Sequence, residues 1–343
     1  MTMFNPQYTI TDKLATNMRK VGEIIGFLNS QALSDTVLMT MTSEARALSS
    51  FSSTQIEGNP IPLTDVKKII KSQPSIIKDT EREVLNYNKA ILVLDKKIKN
   101  GGIGKLSNQL ICDTQKIVID GLLSNSYQGK YRKEPVFVND PLKGETVYLP
   151  PDAKDVNPLM TDLVNYVNTK ENEIDPLIIA GIFHKQAVII HPFMDGNGRT
   201  TRLITKTLLA KLGINTFPLF SFESYYNNNV TRYFEKVGVL GNYYDIVSSI
   251  DFTEWLEYFT EGILDELNRV ISKFPQYRER LEPHHKKILE YIHEHGSITA
   301  REYSQITLRA KATRIQDFKK LTDMRLIQSM GIGKATYYVI KTD

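Results

Sequence analysis

Apolar positions recur at helical spacing along most of the chain. Two such stripes near the start predict helices over Thr11–Leu28 and Leu33–Ile56, and Gly58 follows the second as a natural cap. Further helices are predicted at Asp65–Lys71, Thr80–Lys99, Leu106–Leu122, Pro176–Ile190, Leu203–Leu212 and Asp251–Val270. The pattern therefore predicts a mainly α fold.

One part of this region, Tyr127–Pro151, lacks the helical pattern. Two short β-prone runs flank a group of turn residues at 139–144, which predicts a β-hairpin. An isolated hairpin is marginally stable in water, so we expect this one to pack on the helices. The residues of its two strands are Val136, Phe137, Val138, Thr146, Val147 and Tyr148.

The loop between two predicted helices carries the densest candidate chemistry, in the string HPFMDGNGRTTR at residues 191–202. Gly196 and Gly198 allow the backbone to approach a ligand closely. The next helix begins near Gly198, so its free N–H groups and its dipole can bind an anion. Arg199 and Arg202 lie three residues apart, on one face of the first turn, and suit a di- or triphosphate.

Two further side chains of the loop suit group transfer. Asp195 is a hard oxygen ligand for Mg²⁺, and His191 can accept a proton from a hydroxyl group. Phosphoryl or nucleotidyl transfer needs such a base, a metal ligand and a phosphate cradle. His184 lies two helical turns before His191, and we predict a packed or hydrogen-bonded role for it, because no HExxH motif is present.

The loop matches the Fic family signature HPFxDGNGRxxR at every fixed position, and the chain resembles Fic proteins. Most Fic proteins are adenylyltransferases, which move AMP from ATP to a Ser, Thr or Tyr hydroxyl of a target protein. The resemblance implies a Fic-type helical core in which the hairpin is a flap that aligns the target segment. It makes His191 the catalytic base and Asp195 the Mg²⁺ ligand. The ATP-phosphate-binding residues that it implies are Gly196, Asn197, Gly198, Arg199 and Arg202.

A second string, STQIEG at residues 53–58, resembles the inhibitory [S/T]xxxE[G/N] motif of Fic proteins. Glu57 stands at the C-terminal end of a predicted helix, where the helix dipole disfavours an anion. The resemblance implies an inhibitory segment of Ser53, Glu57 and Gly58. In such a segment Glu57 pairs with Arg202 and holds it away from the γ-phosphate.

A third string, at residues 224–237, resembles the Fic segment on the adenine side of the site. Tyr225, Asn229 and Tyr233 stand at the matching positions, and aromatic rings can stack on adenine. Packing in the core is the alternative for these rings. Val230 stands where the family usually has an arginine, which leaves that contact open.

The end of the chain has a pattern of its own. Three helical segments (His285–His293, Thr299–Gln305 and Leu308–Leu321) precede a β-prone pair at 327–328 and 337–340, an order that resembles a winged helix-turn-helix. From Pro283 onward there are eleven Lys or Arg and six Asp or Glu, although the whole chain carries a net charge of only +4. The third helix is predicted to bury Ile315, Phe318 and Leu321, and to present Arg309, Lys311, Arg314 and Lys319 to phosphate. DNA binding through 280–343 and a protein-binding or dimerisation role both fit this pattern.

The length of 343 residues allows three regions: an N-terminal helical region at 1–100, a Fic catalytic core at 101–275, and a winged-helix domain at 280–343. A polar linker with Pro275 separates the last two. No apolar run is long enough to span a membrane, and no signal peptide is apparent. Cys112 is the single cysteine, with apolar neighbours, so we predict a core role for it and a cytoplasmic, reducing location.

Together these observations predict a protein adenylyltransferase that uses ATP and Mg²⁺ and that Glu57 inhibits. A DNA-binding regulator with a nucleotide-sensing Fic core is the alternative from another class of protein. Removal of AMP, or transfer of another nucleotide group at the same site, stays open as well, because the loop recognises phosphates and says little about the base. A homodimer is a further expectation.

Overall fold

The structure, a computed structural model, describes most of the chain. The residues that it describes are 4–29, 35–74, 76–101, 103–139, 144–211, 213, 221–278, 281–324, 326–331 and 333–341. They group into two compact units, one from Met1–Phe27 and Ala45–Asn268, the other from Leu28–Glu44 and Arg269–Asp343. Most of the predicted N-terminal helical region and most of the predicted catalytic core belong to the first unit.

Helices dominate the first 278 residues, which confirms the prediction of a mainly α fold. They are α1 (Asp12–Asn29), α2 (Asp35–Ile56), α3 (Leu63–Ser72), α4 (Asp79–Lys99), α5 (Asn108–Val118), α6 (Ala153–Lys170), α7 (Pro176–Ile190), α8 (Asn197–Lys211), α9 (Phe222–Asn228), α10 (Val230–Val237), α11 (Tyr243–Ile246) and α12 (Thr253–Arg278).

Several helices differ from the sequence prediction, and α9, α10 and α11 lie in segments that were not predicted as helices. α6 was not predicted, because Pro158 lies inside it and a proline argues against a helix in the sequence. Its buried stripe consists of Val156, Met160, Leu163 and Val167. α3 starts at Leu63 after Pro62, two residues earlier than predicted. α12 continues through Pro275 to Arg278, so most of the predicted linker is helical.

α7 is the central helix of the first unit. Asp175 caps its N-terminus by accepting a hydrogen bond from the Leu177 N–H at 2.8 Å, and Pro176 occupies its first turn. Nearly every side chain of α7 is buried, because the helix is apolar on all sides. Gly181 is required where Trp255 and Leu256 of α12 cross it: the indole N–H donates to the Gly181 carbonyl at 2.7 Å, and a Cβ there would lie 2.6 Å from Leu256 Cδ2. α7 thereby fixes the position at which the signature loop begins.

The end of α2 is a Schellman motif, as the glycine in the sequence suggests. Gly58 has φ +92°, its N–H donates to the Gln55 carbonyl at 2.9 Å, and the Asn59 N–H donates to the Thr54 carbonyl at 3.1 Å. Glu57 is therefore the C-cap residue of α2, and the turn directs its side chain away from the helix axis.

The predicted hairpin is present in shortened form. Its strands are β1 (Val138–Asn139) and β2 (Thr146–Leu149), and a third strand, β3 (Gly241–Asn242), pairs in parallel with β2 in the order β1-β2-β3. Val136 and Phe137 precede β1, so the prediction of a strand from Val136 is wrong at those two positions. Within the predicted turn at 139–144, residues 140–143 lie outside the described residues.

The second unit contains the predicted three helices and paired strands. Its elements after residue 280 are α13 (Pro283–His295), β4 (Ile298–Thr299), α14 (Ala300–Ile306), α15 (Lys311–Asp323), β5 (Ile327–Met330) and β6 (Tyr337–Ile340), with the sheet order β4-β6-β5. Phe318 and Leu321 lie in its core, as predicted, but Ile315 is 59% exposed, so the prediction that it is buried is wrong. Ile315 lies one helical turn before the buried Phe318.

Candidate active site

The signature loop begins with an unusual backbone conformation at His191. This residue ends α7 with φ +52° and ψ +60°, a left-handed conformation that a side chain with a Cβ seldom adopts. Its N–H still donates to the Ala187 carbonyl at 3.1 Å, so the imidazole leaves the helix as the chain turns toward α8. Left-handed non-glycine residues cluster at functional sites, which fits the catalytic role predicted for His191.

Two residues of the loop fix its path. Gly196 has φ +79°, and a Cβ there would lie 2.8 Å from Ile119 Cγ2, so both the conformation and the space require glycine. The Asn197 side chain donates to the Phe193 carbonyl and accepts from the Phe193 N–H, both at 2.8 Å. These bonds occupy the side chain of Asn197, which leaves its backbone N–H as the group that can face a phosphate.

Arg132 precedes the hairpin, and the structure gives it a specific place beside the loop. Its side chain is buried, and it donates to the His191 carbonyl at 2.8 Å and to the Pro151 carbonyl. Its N–H donates to the Pro192 carbonyl at 2.9 Å. Arg132 thus holds the residues on either side of the imidazole.

The surroundings of His191 favour the neutral imidazole. Burial lowers the pKa of His191 to about 4; the Arg132 charge acts in the same direction, and the charges of Glu57 and Asp195 oppose it. A neutral imidazole can accept a proton at physiological pH, as a general base must.

Asp195 and Arg199 form an ion pair inside the loop. The Arg199 Nη2 lies 3.0 and 3.1 Å from the two Asp195 carboxylate oxygens, and its Nη1 lies 3.1 Å from Glu83 Oε1 on α4. Sequence reasoning missed Glu83, because its partner is more than a hundred residues away. Arg199 is buried, whereas the Asp195 side chain is 46% exposed. The carboxylate of Asp195 therefore remains accessible from the solvent side.

Arg202 is held by the predicted inhibitory segment. Its Nη2 lies 2.7 Å from Glu57 Oε1 and 2.8 Å from the Ser53 carbonyl oxygen, and its Nε donates to Ser53 Oγ at 2.8 Å. Burial of the guanidinium acts to lower its pKa, but the charge and hydrogen bond of Glu57, together with Tyr233 and Tyr87, outweigh burial, so the pKa of Arg202 is raised. The guanidinium is fully charged and fully buried against α2.

The carboxylate of Glu57 lies at the N-terminus of α8. A Cβ on Gly198 would overlap Glu57 Oε1 and would lie 2.9 Å from Arg202 Nη1. The positive end of the α8 dipole and the guanidinium together offset the unfavourable position of Glu57 at the negative end of α2. Glu57 is thus the anion at the site where the sequence predicts a phosphate.

Three buried guanidinium nitrogens at this site make no hydrogen bond among the described residues, namely Arg202 Nη1, Arg199 Nε and Arg199 Nη1, although the last lies 3.1 Å from Glu83 Oε1. Buried arginine donors without acceptors are rare, because a buried N–H group that makes no hydrogen bond has lost its bonds to water without a replacement. A phosphate at the N-terminus of α8 would lie beside Arg202 Nη1 and could accept from it. These nitrogens therefore fit the triphosphate of ATP.

The flap residues divide into two groups. The Tyr148 ring is buried, and its hydroxyl donates to the Ile189 carbonyl of α7 at 2.9 Å, so it anchors the flap and is not free to contact a target. The outward-facing residues are Phe137, which is 60% exposed, and Thr146. Val136, Val138 and Val147 are half-buried. The free edge of β1 pairs with no strand of the described residues.

The three predicted adenine-side residues occupy different environments. The Tyr233 ring is buried, and its hydroxyl bonds His184 Nε2 at 3.0 Å, so the core alternative holds for Tyr233. Tyr225 is half-buried against Tyr258, at 5.3 Å between ring centroids. Asn229 is exposed and caps α10 by accepting from the Arg232 N–H at 3.0 Å. Tyr225 and Asn229 are thus the two that a ligand can reach.

His184 is a buried hydrogen-bonded residue, as the sequence suggests. The Thr205 hydroxyl donates to the Thr201 carbonyl at 2.8 Å, so we assign it as the acceptor for His184 Nδ1–H at 3.1 Å. The Tyr233 hydroxyl then donates to Nε2. Burial lowers the pKa of His184, so this histidine stays neutral. Cys112 is half-buried, and burial raises the pKa of its thiol to about 11, which makes it a poor nucleophile.

One group of three possible metal ligands occurs among the described residues, in the second unit: His284, His285 and Asp317. Asp317 is already paired with Arg309, whose Nε and Nη2 lie 2.9 and 3.2 Å from its two oxygens, and it accepts from the Tyr303 hydroxyl. His285 Nδ1 accepts from the Glu282 N–H, so the proton of its neutral form is on Nε2, the atom facing Asp317. The cluster is a buried structural hub, and Arg309, which the sequence suggested for phosphate, belongs to it.

The part of the chain that contains this loop is similar to known proteins. Residues 105–209 match the family model of the Fic/DOC family. The chain contains a Fic/DOC family domain. It covers α5 to α8, which include the signature loop and the segment of Arg132.

Two relatives of this chain carry the name protein adenylyltransferase Fic. One from Nematostella vectensis is 29% identical over 174 residues, which are 48% of this chain and 37% of that protein. One from Aedes aegypti is 27% identical over 190 residues, 54% of this chain and 36% of that protein. The chain therefore spans about a third of the length of these relatives.

Solved structures share the fold at low identity. A Fic family protein from Desulfovibrio desulfuricans G20 has a TM-score of 0.66 at 20% identity, over 99% of both chains. Fic-1 from C. elegans has a TM-score of 0.61 at 21% identity, over 76% of this chain and 73% of that one. Both support the helical Fic fold. No helix among the described residues is long and apolar enough to cross a membrane.

Proposed function

We propose that this chain is a protein adenylyltransferase that transfers AMP from ATP to a Ser, Thr or Tyr hydroxyl of a target protein, and that Glu57 inhibits it. The observation that carries the proposal is the neutral, left-handed His191 at the start of a loop whose end presents buried arginine donors at a helix N-terminus. The names of the relatives support the choice of AMP as the transferred group.

In this reaction the target hydroxyl approaches His191, which accepts its proton. The hydroxyl oxygen forms a bond to the α-phosphorus of ATP, and the bond to the β-phosphate bridging oxygen breaks, so that pyrophosphate leaves. Arg199, Arg202 and the backbone N–H groups at the start of α8 balance the charge of the leaving phosphates. Tyr148 and Arg132 hold the flap and the loop in position on α7.

Asp195 is the residue that would hold Mg²⁺. Magnesium is commonly bound by one or two carboxylates together with substrate phosphates, and a single accessible carboxylate beside the phosphate site fits that habit. When bound, the ion neutralises charge on the phosphates. The ion pair with Arg199 would keep the carboxylate oriented toward it.

Inhibition follows from the competition between two anions for Arg202. The carboxylate of Glu57 takes both the guanidinium and the N-terminus of α8, so a γ-phosphate cannot occupy the same place. ATP can then bind only with its terminal phosphate displaced, which misaligns the α-phosphorus for attack. Withdrawal of Glu57 would make the site competent.

The experiment is autoradiography of the purified chain with Mg²⁺ and ATP labelled on either the α- or the γ-phosphate. We expect transfer of the α-label only, strongest in Glu57→Gly and lost in His191→Ala. Gln55→Gly is the matched control: it places a glycine near the same helix end without touching Arg202. Transfer of the γ-label would identify a kinase-like reaction, and equal labelling by Glu57→Gly and His191→Ala would overturn the proposal.

A second candidate function, DNA binding, has a specific observation in its favour within the second unit. The exposed charged residues of α15 are Lys311, Lys319 and Lys320, with Asp323 as the exception at its end, while its other acid, Asp317, is buried. Between them Ile315 and Gln316 are exposed on the same helix. A basic helix with an exposed amide and an apolar side chain can face phosphates and base edges in a major groove.

Fluorescence anisotropy of the full chain with duplex DNA over a salt series tests this second function. Replacing Lys311 and Lys319 by Glu should weaken binding and lower the salt slope by about one for each lysine that faces a phosphate. Replacing Lys286 and Lys287, exposed on α13, makes the same charge change as a control. Absence of binding at low salt, or an equal weakening in both double variants, would remove DNA binding through α15.

A further inference from the structure

α2 and α8 contact each other through two steps of polar side chains. Arg202 on α8 meets Ser53 on α2, and one turn further along α8, Lys206 donates to the hydroxyl of Ser49, one turn earlier on α2. The residue numbers rise on one helix as they fall on the other, so the two helices run antiparallel here. We name this arrangement, Arg202–Ser53 and Lys206–Ser49, the α2–α8 ladder.

The second step of the ladder is built on a buried ion pair. Lys206 Nζ lies 3.0 Å from Glu223 Oε2 of α9, and both side chains are almost fully buried. The Glu223 carboxylate also accepts from the Tyr87 hydroxyl of α4 and from the Ser221 hydroxyl, each at 2.8 Å. The Ser49 hydroxyl lies 3.4 Å from the same carboxylate. A pair with its oxygens satisfied in this way is rigid.

The chemistry proposed above does not use this second step. Arg202 must release Glu57 when a γ-phosphate binds, whereas Lys206 and Glu223 are closed off from the site by burial. Ser49 brings a hydroxyl of α2 to this pair. It therefore connects the inhibitory helix to a fixed point that ATP does not disturb.

We propose that the Ser49–Lys206–Glu223 contact positions the inhibitory helix, and so sets how strongly Glu57 holds Arg202. Ser49, Ser53 and Glu57 follow one another at intervals of four residues, so a helix held at Ser49 delivers Glu57 to the N-terminus of α8. Ser49 and Lys206 are positioning residues in this scheme, and they do not touch substrate. The inference rests on the proposed inhibition by Glu57.

Loss of the Ser49 hydroxyl should weaken the inhibited arrangement and leave the reactive one unchanged. The loss of one hydrogen bond corresponds to about fivefold in an equilibrium constant. When the inhibited arrangement predominates, the active fraction rises by the same factor. We therefore expect Ser49→Ala to raise α-label transfer by about fivefold.

The decisive comparison places Ser49→Ala in two backgrounds. In the otherwise natural chain it should raise transfer, and in Glu57→Gly, where inhibition is already absent, it should change nothing. Ser50→Ala is the matched control: Ser50 is equally buried on α2, but its hydroxyl donates to the Arg46 carbonyl of its own helix, at 2.9 Å. Equal effects of Ser49→Ala and Ser50→Ala, or a parallel fall in both backgrounds, would overturn the proposal.

A second measurement separates this proposal from the proposed enzymatic function. Hydrogen exchange of the amides in residues 45–56 should become faster in Ser49→Ala than in Ser50→Ala, whether or not the chain transfers AMP. If Glu57→Gly transfers no label but exchange differs in this way, the adenylyltransferase proposal fails while the ladder stands. If Glu57→Gly is active but exchange and labelling are the same in both serine variants, the ladder proposal fails alone.

Discussion

Glu57→Gly is expected to destabilise the chain while it opens the site, and ATP is expected to restore what is lost. Arg202 is fully buried and keeps its charge, with Glu57 Oε1 at 2.7 Å as its anionic partner among the described residues. Removing that carboxylate leaves a buried guanidinium whose remaining acceptors are the two oxygens of Ser53. The same variant that frees the phosphate site therefore carries an unpaired charge.

The size of the effect follows from the burial of the two partners. Breaking a buried ion pair by removing one partner costs about 3–5 kcal/mol. Glu57 is 28% exposed, and glycine admits water to the guanidinium, so we expect a value near or just below the low end, about 2–3 kcal/mol. For a domain of this size, each kcal/mol lowers the melting temperature by about 2–4 °C, so the expected fall is about 5–10 °C.

Differential scanning fluorimetry with and without Mg²⁺ and ATP measures both parts. Without nucleotide, Glu57→Gly should melt lowest, Glu57→Gln should lie between it and the natural chain, and Gln55→Gly should show only the cost of a glycine in a helix, about 1 kcal/mol. With ATP, the rise in melting temperature should be largest for Glu57→Gly, because a phosphate then replaces the missing carboxylate at Arg202.

Two results would contradict this reasoning. If Glu57→Gly melts at the temperature of the natural chain, the ion pair contributes nothing net, and Arg202 finds another partner. If ATP stabilises the natural chain and Glu57→Gly equally, the carboxylate and the phosphate do not compete for one site. The second result would also remove the physical basis of the inhibition.

Three other expectations can be checked in the same preparations. The pKa of about 4 for His191 predicts that kcat/KM of Glu57→Gly shows no inflection near pH 6.5 and falls only toward pH 4. His191 should also lower the stability of the folded chain as the pH drops from 6.5 to about 4, because this histidine is protonated at a higher pH in the unfolded chain than in the folded one. Gly181→Ala should cost about 1–3 kcal/mol in urea unfolding, because its Cβ would overlap Leu256; an unchanged midpoint refutes the close approach of the two helices. Asp317→Asn should speed hydrogen exchange throughout 283–341, since Arg309 loses its charged partner; unchanged exchange refutes the hub.

The sequence alone determined the parts of this protein that depend on local rules. Asp175-Pro176 and the glycine at 58 marked helix ends, because caps act within a few residues. The sequence at 191–202 indicated which chemistry the loop suits, because a base, an acid, two glycines and two arginines stand within one loop and the helix start that follows it. The pairing of Glu57 with Arg202 was predicted from a resemblance, and the geometry now gives it a distance.

Tertiary structure decided which of the candidate side chains are free to act. Tyr148 and Tyr233 could equally have faced a ligand, and they are buried because their hydroxyl groups find partners on α7. Ile315 lies one helical turn before the buried Phe318 of α15, and helical spacing in a short segment does not resolve at which of these residues the buried face begins.

The sequence also could not predict contacts between residues that lie far apart along the chain. Glu83 and Arg199, or Ser49 and Lys206, meet only because α2, α4 and α8 pack side by side. No local pattern in the sequence predicts such a contact, since each of these residues taken singly stands at an ordinary helix position. The physical reason is general: caps and turns are set by bonds along the chain, whereas the choice of a buried polar partner is set by whichever helix the fold brings against it.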